Sequence, residues 1–409
     1  MKIAVVEPIG KGGMIHYAWQ LCRAMHELGA AITLVTDRHY ELHDLPHPFD
    51  LDRSLRLWDP KPEREVESRM LRRVRRSGRA LIYYREWLRL MTIVRRMRPD
   101  VVQFGDLRFA TDLFPLLAIR RIAPIMADIC HNVHPFSGGA VSSGSFGASR
   151  LEASLYSRSY RQFDTVFVHY DSSVREFART FPESASRAVR IVHGNEGIFD
   201  DLAAADVSEG TLRERLVLSD SASVVLFFGT LSRYKGLDLL LDAFERVAAA
   251  AENAVLVLAG YAFSDFDPDD YRAEARERGL AERVHVVDRY IPAEEVRGWM
   301  KLAAAAVFPY RSIYQSGALQ LAHTFGAPIV ATRVGAMSEV IRNEETGLLV
   351  QPESRDELAE AIIRLLQDRV LARRLGENAE REARTRFSWS RVAGTILETY
   401  EKLQRRKAS

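Results

Sequence analysis

The chain has 409 residues, a hydrophobic fraction of 47% and a formal net charge of +2. That length makes room for two or three domains with full cores, and the balanced charge carries no general attraction to nucleic acid. No run of about 18 apolar residues occurs, which excludes a membrane-spanning helix, and two cysteines are too few for a disulfide framework. Cys22 and Cys130 lie in apolar surroundings and read as buried reduced thiols. The opening MKIAVVEP enters a strand directly, without a signal-peptide pattern, so a cytoplasmic location is expected.

Residues 2–6 read as a strand and PIGKGG (8–13) as a glycine loop. Residues 14–28 follow as a helix whose apolar stripe runs through Tyr17, Leu21, Ala24, Met25 and Leu28, with Gly29 ending it. Residues 31–36 are the next strand, so a parallel sheet with helices on both faces begins here. The loop fails the dinucleotide fingerprint, because counting from Gly10 the last glycine would fall on Ile15. Two readings stand, a tight turn or a contact to a phosphate or substrate. Residues 51–62 are expected to be irregular. Residues 63–97 predict one or two helices of unusual charge, because 61–98 hold thirteen basic residues against four acidic ones. Leu81, Tyr84, Trp87 and Leu88 are among the apolar residues interleaved with them. Such a segment suits an anionic membrane surface, or equally a solvated helix face whose apolar side joins the core. No nucleic-acid-binding motif accompanies it.

Residues 100–104 are a strand, 109–121 a helix and 124–129 a strand that ends in CHNVHPFSGG. His131 and His134 therefore sit past a strand's C-terminal end, where open α/β sheets carry function. Their spacing is not a helical metal pair and nothing completes a zinc site, so no metal is expected. A histidine here suits a hydrogen bond to a substrate hydroxyl or phosphate, or a role in holding the loop. The small-residue loop 137–147 reads as a lid. Helix 151–161, strand 165–169, helix 172–180 and strand 190–192 complete this half. HGNEGIF then leads into a linker at 200–220.

A second α/β half begins at residue 223. Strand 224–228 runs into the loop GTLSRYKG and helix 237–250. The loop is not a Walker loop, since Lys235 is followed by Gly236. It still sets Arg233 and Lys235 between a strand end and a helix start, where two cations suit a diphosphate whose charge grows as it leaves. Strands 254–259 and 283–287 and helix 293–300 lead to residues 306–350, read as strand, loop, helix, strand, loop, short helix, strand. The helix at 318–325 has Ser316, Gly317 and Ala318 in its first turn, and an anion can approach its positive end there. Helices 355–367 and 370–384 follow, and the last, 390–405, is long enough to cross back to the first half.

With FFGTLSRYKGLDLLLDAF, FGAPIVATRVGAMSEVIRNEETGLLV and RFSWSRVAGTILETY, the chain resembles the retaining group 1, family 4 glycosyltransferases of the GT-B fold. The resemblance implies an α/β protein of two Rossmann-like parallel-sheet domains facing a cleft. Residues 1–200 would bind the acceptor, 201–388 the nucleotide-sugar, and 389–409 would pack back on the first domain. It implies a UDP- or GDP-sugar as substrate, with no cofactor and no metal. The acceptor would be a saccharide or lipid-linked saccharide of cell-surface polysaccharide or glycoconjugate synthesis, used in the cytoplasm or on the inner face of the membrane.

The same resemblance assigns residues. Lys235 matches the lysine that holds the donor diphosphate, in the loop opened by Gly229, and Gly12 and Gly13 face that diphosphate. His131 meets the donor sugar, while Ser316, Gly317 and Ala318 form the loop whose amides meet sugar and phosphate. Tyr290 and Ile291 fall where the base stacks, and Glu339 is the acidic residue after the glycine loop at 335. Many members carry arginine at Thr230, whose charge Arg233 takes over here, and two glutamates where Ile313 and Leu321 stand. PYRSIYQSG resembles a subgroup with Gln315 and the Ser-Gly turn in their place, and it leaves Gln320 and Glu339 both open as ribose ligands. A non-catalytic binding homologue, a sugar-nucleotide epimerase of the same fold and a nicotinamide enzyme using Asp37 are the rival readings.

Overall fold

The computed structural model describes residues 1–57, 69–134, 150–202 and 207–408. The loop at 137–147 and the first part of the basic run lie outside the described residues. Two wholly parallel sheets form the molecule. The first contains β1 (Lys2–Val6), β2 (Ala31–Asp37), β3 (Asp50–Leu55), β4 (Val101–Phe104), β5 (Ile125–Cys130), β6 (Thr165–His169) and β7 (Ala188–Ile191). Its order is β3-β2-β1-β4-β5-β6-β7. The second contains β8 (Ser223–Phe228), β9 (Ala254–Gly260), β10 (Val284–Asp288), β11 (Ala303–Phe308), β12 (Ile329–Thr332) and β13 (Leu348–Val350), in the order β10-β9-β8-β11-β12-β13.

The central strands are buried along almost their whole length, SVVLFF of β8 and IMADIC of β5 included. Such near-continuous apolar runs suit strands covered by helices on both faces. Strand order reverses between β1 and β4 and again between β8 and β11. Right-handed crossovers then send neighbouring connections to opposite faces and leave a crevice beyond the strands' C-terminal ends.

Three elements depart from the sequence reading. Residues 50–55 form an edge strand, β3, paired in parallel with β2. Its sequence DLDRSL lacks an apolar run because only one neighbour and one face need satisfying. The supposed linker contains a helix, Glu209–Arg215, capped by Ser208 Oγ and packed on the helix Ala293–Leu302. Helix 109–121 begins as a 3-10 turn, Ala110–Asp112, and continues as Leu113–Ile119. Asp112 accepts the amides of Arg108 and Phe109 at 3.1 and 3.0 Å, which sets that tight entry.

The basic run gives one helix over its described part, Arg69–Met97. Trp87, Leu90, Ile93 and Val94 bury one side of it in a core shared with β4, β5 and β6. The last helix, Trp389–Ala408, leaves the second sheet and packs on the helix Gly13–Glu27 of the first. Its Tyr400 hydroxyl donates to Gln103 Oε1 at 2.5 Å, and Lys407 pairs with Asp164 at 2.9 Å. The thiols of Cys22 and Cys130 are free and buried, and burial raises both pKa values.

Candidate active site

Four loops meet at the strand ends. On the second sheet, Gly229 follows β8 with φ +120° and Gly236 closes the loop with φ +68°, a left-handed conformation that favours glycine. A Cβ on Gly236 would lie 2.0 Å from the Pro309 carbonyl oxygen, so this loop and the one after β11 touch backbone to backbone. Arg311 joins them further. Its backbone N–H donates to the Tyr234 carbonyl at 2.9 Å and its guanidinium to the Arg233 carbonyl at 3.0 Å. The same guanidinium binds Asp238 at 2.7 and 2.9 Å and Glu353 at 2.7 Å.

Lys235 lies inside this frame, 8% exposed. A methyl placed on Gly229 would lie 3.5 Å from Lys235 Nζ and 3.6 Å from Ala318 Cβ, so Gly229, Lys235 and Ala318 converge. The ammonium sits over the rings of Tyr310, Phe227 and Tyr234 at 5.6 to 5.8 Å. It has no carboxylate partner among the described residues, and burial pushes its pKa down to about 8. A buried cation held by ring π-clouds, without a carboxylate among the described residues, can accept an anion. Arg233 is exposed, and no described contact brings its side chain to Lys235.

Ser316 caps the helix Gly317–Thr324, its Oγ accepting from Leu319 N at 3.2 Å. The first turn of this helix, with the positive end of its dipole, lies beside Gly229 and Lys235 through Ala318. Gly335, at φ +47°, would drive a Cβ to 1.7 Å from the Ile313 carbonyl oxygen, so the loop after β12 presses on the same segment.

From the first sheet, His131 follows β5 and is 3% exposed. Gln315 Nε2 donates to its Nδ1 at 3.2 Å across the cleft, and the His131 Nε2 has no hydrogen-bond partner among the described residues. His169 lies beside it with ring centroids 4.9 Å apart, and His193 lies 5.5 Å from His169. Tyr17 packs edge-on against all three. Burial and then the His193 charge push the His131 pKa down to about 3, and burial brings His193 to about 4. The imidazoles are therefore neutral at physiological pH. His134 faces away from this cluster and pairs with Glu176 at 2.9 Å.

The glycine loop opens into the cleft. A Cβ on Gly12 or Gly13 would meet nothing within 4 Å, and the helix Gly13–Glu27 has no side-chain N-cap. Glu41 holds the loop in place, accepting from Gly12 N at 2.7 Å and binding His16 Nε2 at 2.8 Å. Tyr290 is exposed on the loop after β10, and Ile291 beside it is buried.

Two expected ribose ligands are otherwise engaged. Gln320 Nε2 donates to Tyr170 Oη at 3.0 Å, between the domains. Glu339 accepts the amides of Asp171 and Ser172, both at 2.7 Å, and so caps the helix Tyr170–Thr180 of the other domain. Leu321, where a glutamate is common, is buried.

Sequence reasoning missed Glu196. It is 8% exposed, one oxygen faces Gly317 and the other accepts from Gln20 Nε2 at 3.4 Å. Burial pushes its pKa up to about 8. Nothing in HGNEGIF marks this carboxylate, because its neighbours Gln20 and Gly317 are far away in the chain. Tyr17, His169 and His193 were missed for the same reason.

Two Rossmann-like parallel-sheet domains of seven and six strands define the GT-B class of fold. Residues 12–193 match the family model described as glycosyl transferase 4-like domain, and residues 222–368 the model described as glycosyl transferases group 1. The chain belongs to the group 1 glycosyltransferase family. A D-inositol 3-phosphate glycosyltransferase of Corynebacterium glutamicum is 32% identical over 194 residues, 46% of this chain and 45% of its own. The MMP alpha-(1->4)-mannosyltransferase of Mycolicibacterium hassiacum is 31% identical over 205 residues, 49% and 46% of the two chains. The chain thus spans about half the length of the curated relatives it matches. Two solved structures share the fold over nearly their whole length. Sucrose-phosphate synthase from Thermosynechococcus elongatus superposes with a TM-score of 0.72 at 20% identity, covering 100% of both chains. Anabaena HepE in complex with UDP superposes with a TM-score of 0.70 at 18% identity, covering 98% of this chain and 100% of its own.

Proposed function

We propose that the protein is a retaining, metal-independent glycosyltransferase that moves a hexosyl group from a UDP- or GDP-sugar to an acceptor hydroxyl on a saccharide or lipid-linked saccharide. The observation that carries this reading is the buried Lys235 ammonium, without a carboxylate partner among the described residues, beside Gly229 and the first turn of the Ser316 helix. A diphosphate would complete that site and find cation, amides and dipole already oriented. Arg233 would approach from the exposed rim, with Gly12 and Gly13 facing the diphosphate from the other domain. Tyr290 and Ile291 would meet the base. A complex with UDP in a structure of the same fold supports the choice of donor class.

In the step itself the bond from the anomeric carbon to the diphosphate oxygen breaks, and the diphosphate leaves with the electron pair. The acceptor oxygen forms its bond to that carbon on the same face and passes its proton to the departing phosphate. Lys235 and the helix end stabilise the growing negative charge. His131 Nε2–H donates to a sugar hydroxyl and positions the ring.

The second reading, a binding protein without transfer, draws on apolar Ile313 and Leu321 at the glutamate positions. A thermal-shift screen of UDP, GDP, ADP, CMP and their sugar conjugates, with and without Mg²⁺, tests the donor site. A nucleotide at 100 times its dissociation constant should stabilise by about 2.7 kcal/mol. A shift with one diphosphate, indifferent to Mg²⁺, is the expected result, and no shift with any of them would sink the assignment. Sugar transfer or slow donor hydrolysis then separates enzyme from binding protein.

A further inference from the structure

We propose that the face built by the basic helix Arg69–Met97 and the helix Leu113–Ile119 docks on an anionic lipid bilayer. Large exposed apolar side chains gather on this corner of the first domain. Leu81 is 74% exposed, Leu88 62% and Phe114 63%, with Tyr84, Phe109 and Leu117 exposed around them. In the second domain such residues, Val217, Phe263 and Val370 among them, are scattered along the chain. Leu81, Tyr84, Leu88, Met91, Phe114 and Pro115 line a groove of about 580 Å³ between the two helices. Isolated exposed apolar residues are ordinary on a protein surface, but a contiguous patch with a groove marks an interaction site.

The charge around the patch selects the occupant. The basic helix carries ten arginines and one glutamate. That glutamate, Glu86, is buried beneath the helix and pairs with Arg85 at 3.4 Å and Arg89 at 3.2 Å, so it adds no negative charge to the outer face. Helical spacing sets Arg85 and Arg95 beside the stripe of Leu81, Tyr84 and Leu88, and both are exposed. Arg121 is exposed just beyond the second helix. An apolar strip bordered by arginines matches acyl chains beneath anionic headgroups. A second copy of the chain would bring like charges together across a two-fold contact, which opposes that occupant.

The patch also reaches the cleft. Phe109 follows β4 on the strand-end side and packs edge-on against Tyr83 of the basic helix at 5.1 Å. A chain seated on a bilayer through this face would hold the strand-end side of its first domain near the lipid headgroups. The proposal rests on the surface alone and is independent of the donor-site reading.

Sedimentation of the full chain with vesicles is the test. One set contains phosphatidylcholine alone and the other phosphatidylcholine with phosphatidylglycerol. The protein is expected to sediment with the anionic set and little with the neutral one, and binding should weaken as salt rises. Leu88→Glu combined with Phe114→Glu should reduce the bound fraction at least roughly tenfold, because charges replace the buried anchors. Both sites are exposed, so the melting temperature should not change. Arg85→Gln combined with Arg95→Gln, which keeps every apolar side chain of the groove although Arg85 borders it, should reduce binding to the anionic set alone. No sedimentation of the wild type with anionic vesicles, or undiminished binding by both variants, would overturn the proposal. So would a dimer in light scattering that Leu88→Glu dissociates while vesicles are ignored, since the face would then belong to a second copy.

Discussion

Gln315, on the loop after β11, donates through Nε2 to Nδ1 of His131, on the loop after β5, at 3.2 Å. The bond crosses the cleft, and with the Gln315 amide as donor the histidine carries its proton on the other ring nitrogen. Burial keeps the ring neutral, with its pKa down to about 3. A neutral ring that accepts at Nδ1 has its N–H at Nε2, an atom without a hydrogen-bond partner among the described residues. One amide therefore both closes the cleft and aims a donor into it.

Replacing His131 with alanine should lower kcat by about a hundredfold, the scale of a positioned hydrogen-bonding or proton-transfer group. Gln315→Leu should cost about tenfold or more, because the ring loses its tautomer and its orientation while the donor N–H survives. With so low a pKa, His131 should not titrate in activity between pH 5 and 8. A pH–rate profile checks this, and a break near the ordinary histidine value that disappears in His131→Ala would contradict the assignment.

Lys235→Ala should lower kcat/KM by roughly a hundredfold or more through lost stabilisation of the leaving diphosphate. The lysine pKa is depressed to about 8 in the folded protein, below its ordinary 10.5. The unfolded chain therefore binds more protons between these values, and stability without ligand should rise as pH climbs through that window. Nucleotide affinity should move the other way, weakening above about pH 8 as the ammonium is lost. Calorimetric titration of UDP or GDP at several pH values measures it, with Lys235→Ala as the flat reference.

Glu196 carries a pKa raised from 4.5 to about 8 by burial. The folded state then binds more protons than the unfolded one between those values, so stability should decline as pH rises from below 4.5 through about 8. Glu196→Gln keeps the shape and removes the titration. The melting temperature of the wild type relative to the variant should therefore fall as pH rises across this window, and a difference between the two that does not change with pH would place the titrating group elsewhere.

Glu339 should act on domain closure rather than on chemistry. Burial favours its neutral form, but the hydrogen bonds from Ser172 and Asp171 and the Arg190 charge outweigh that, and its pKa falls below 4.5. Its contribution is thus present above the ordinary carboxylate value and is lost as pH falls through the lowered one. Glu339→Ala should cost about 1–3 kcal/mol at neutral pH, since two helix amides lose a charged acceptor. Small-angle scattering should show a wider molecule without nucleotide, and the difference from wild type should vanish in acid.

The elements that local chemistry specifies were legible in the chain. VVLFF and IMADIC are apolar because both faces of their strands are covered. Gly229, Gly236 and Gly335 stand where φ is positive or a neighbouring backbone approaches too closely for a Cβ. Lys235 and Ser316 could be located because strand-end loops and helix starts are read within a few residues of sequence. β3 escaped because an edge strand needs no long apolar run. The helix in the linker escaped because its burial rests mainly on one contact with a distant helix.

Pairings between residues far apart in the chain were beyond such reading. Gln315 meets His131 over 184 residues, Glu339 reaches Asp171 over 168, and Gln20 reaches Glu196 over 176. Composition and period carry no record of these distances, because a side chain's partner there depends on how the folded chain packs and not on its neighbours in the chain. The same packing leaves Lys235 without a carboxylate among the described residues, ties Glu339 to the amides of Asp171 and Ser172 and gives Glu196 its raised pKa. Residue types and loop positions were thus set locally, whereas protonation states and partners follow from burial and long-range contact, which exist only once the chain is folded.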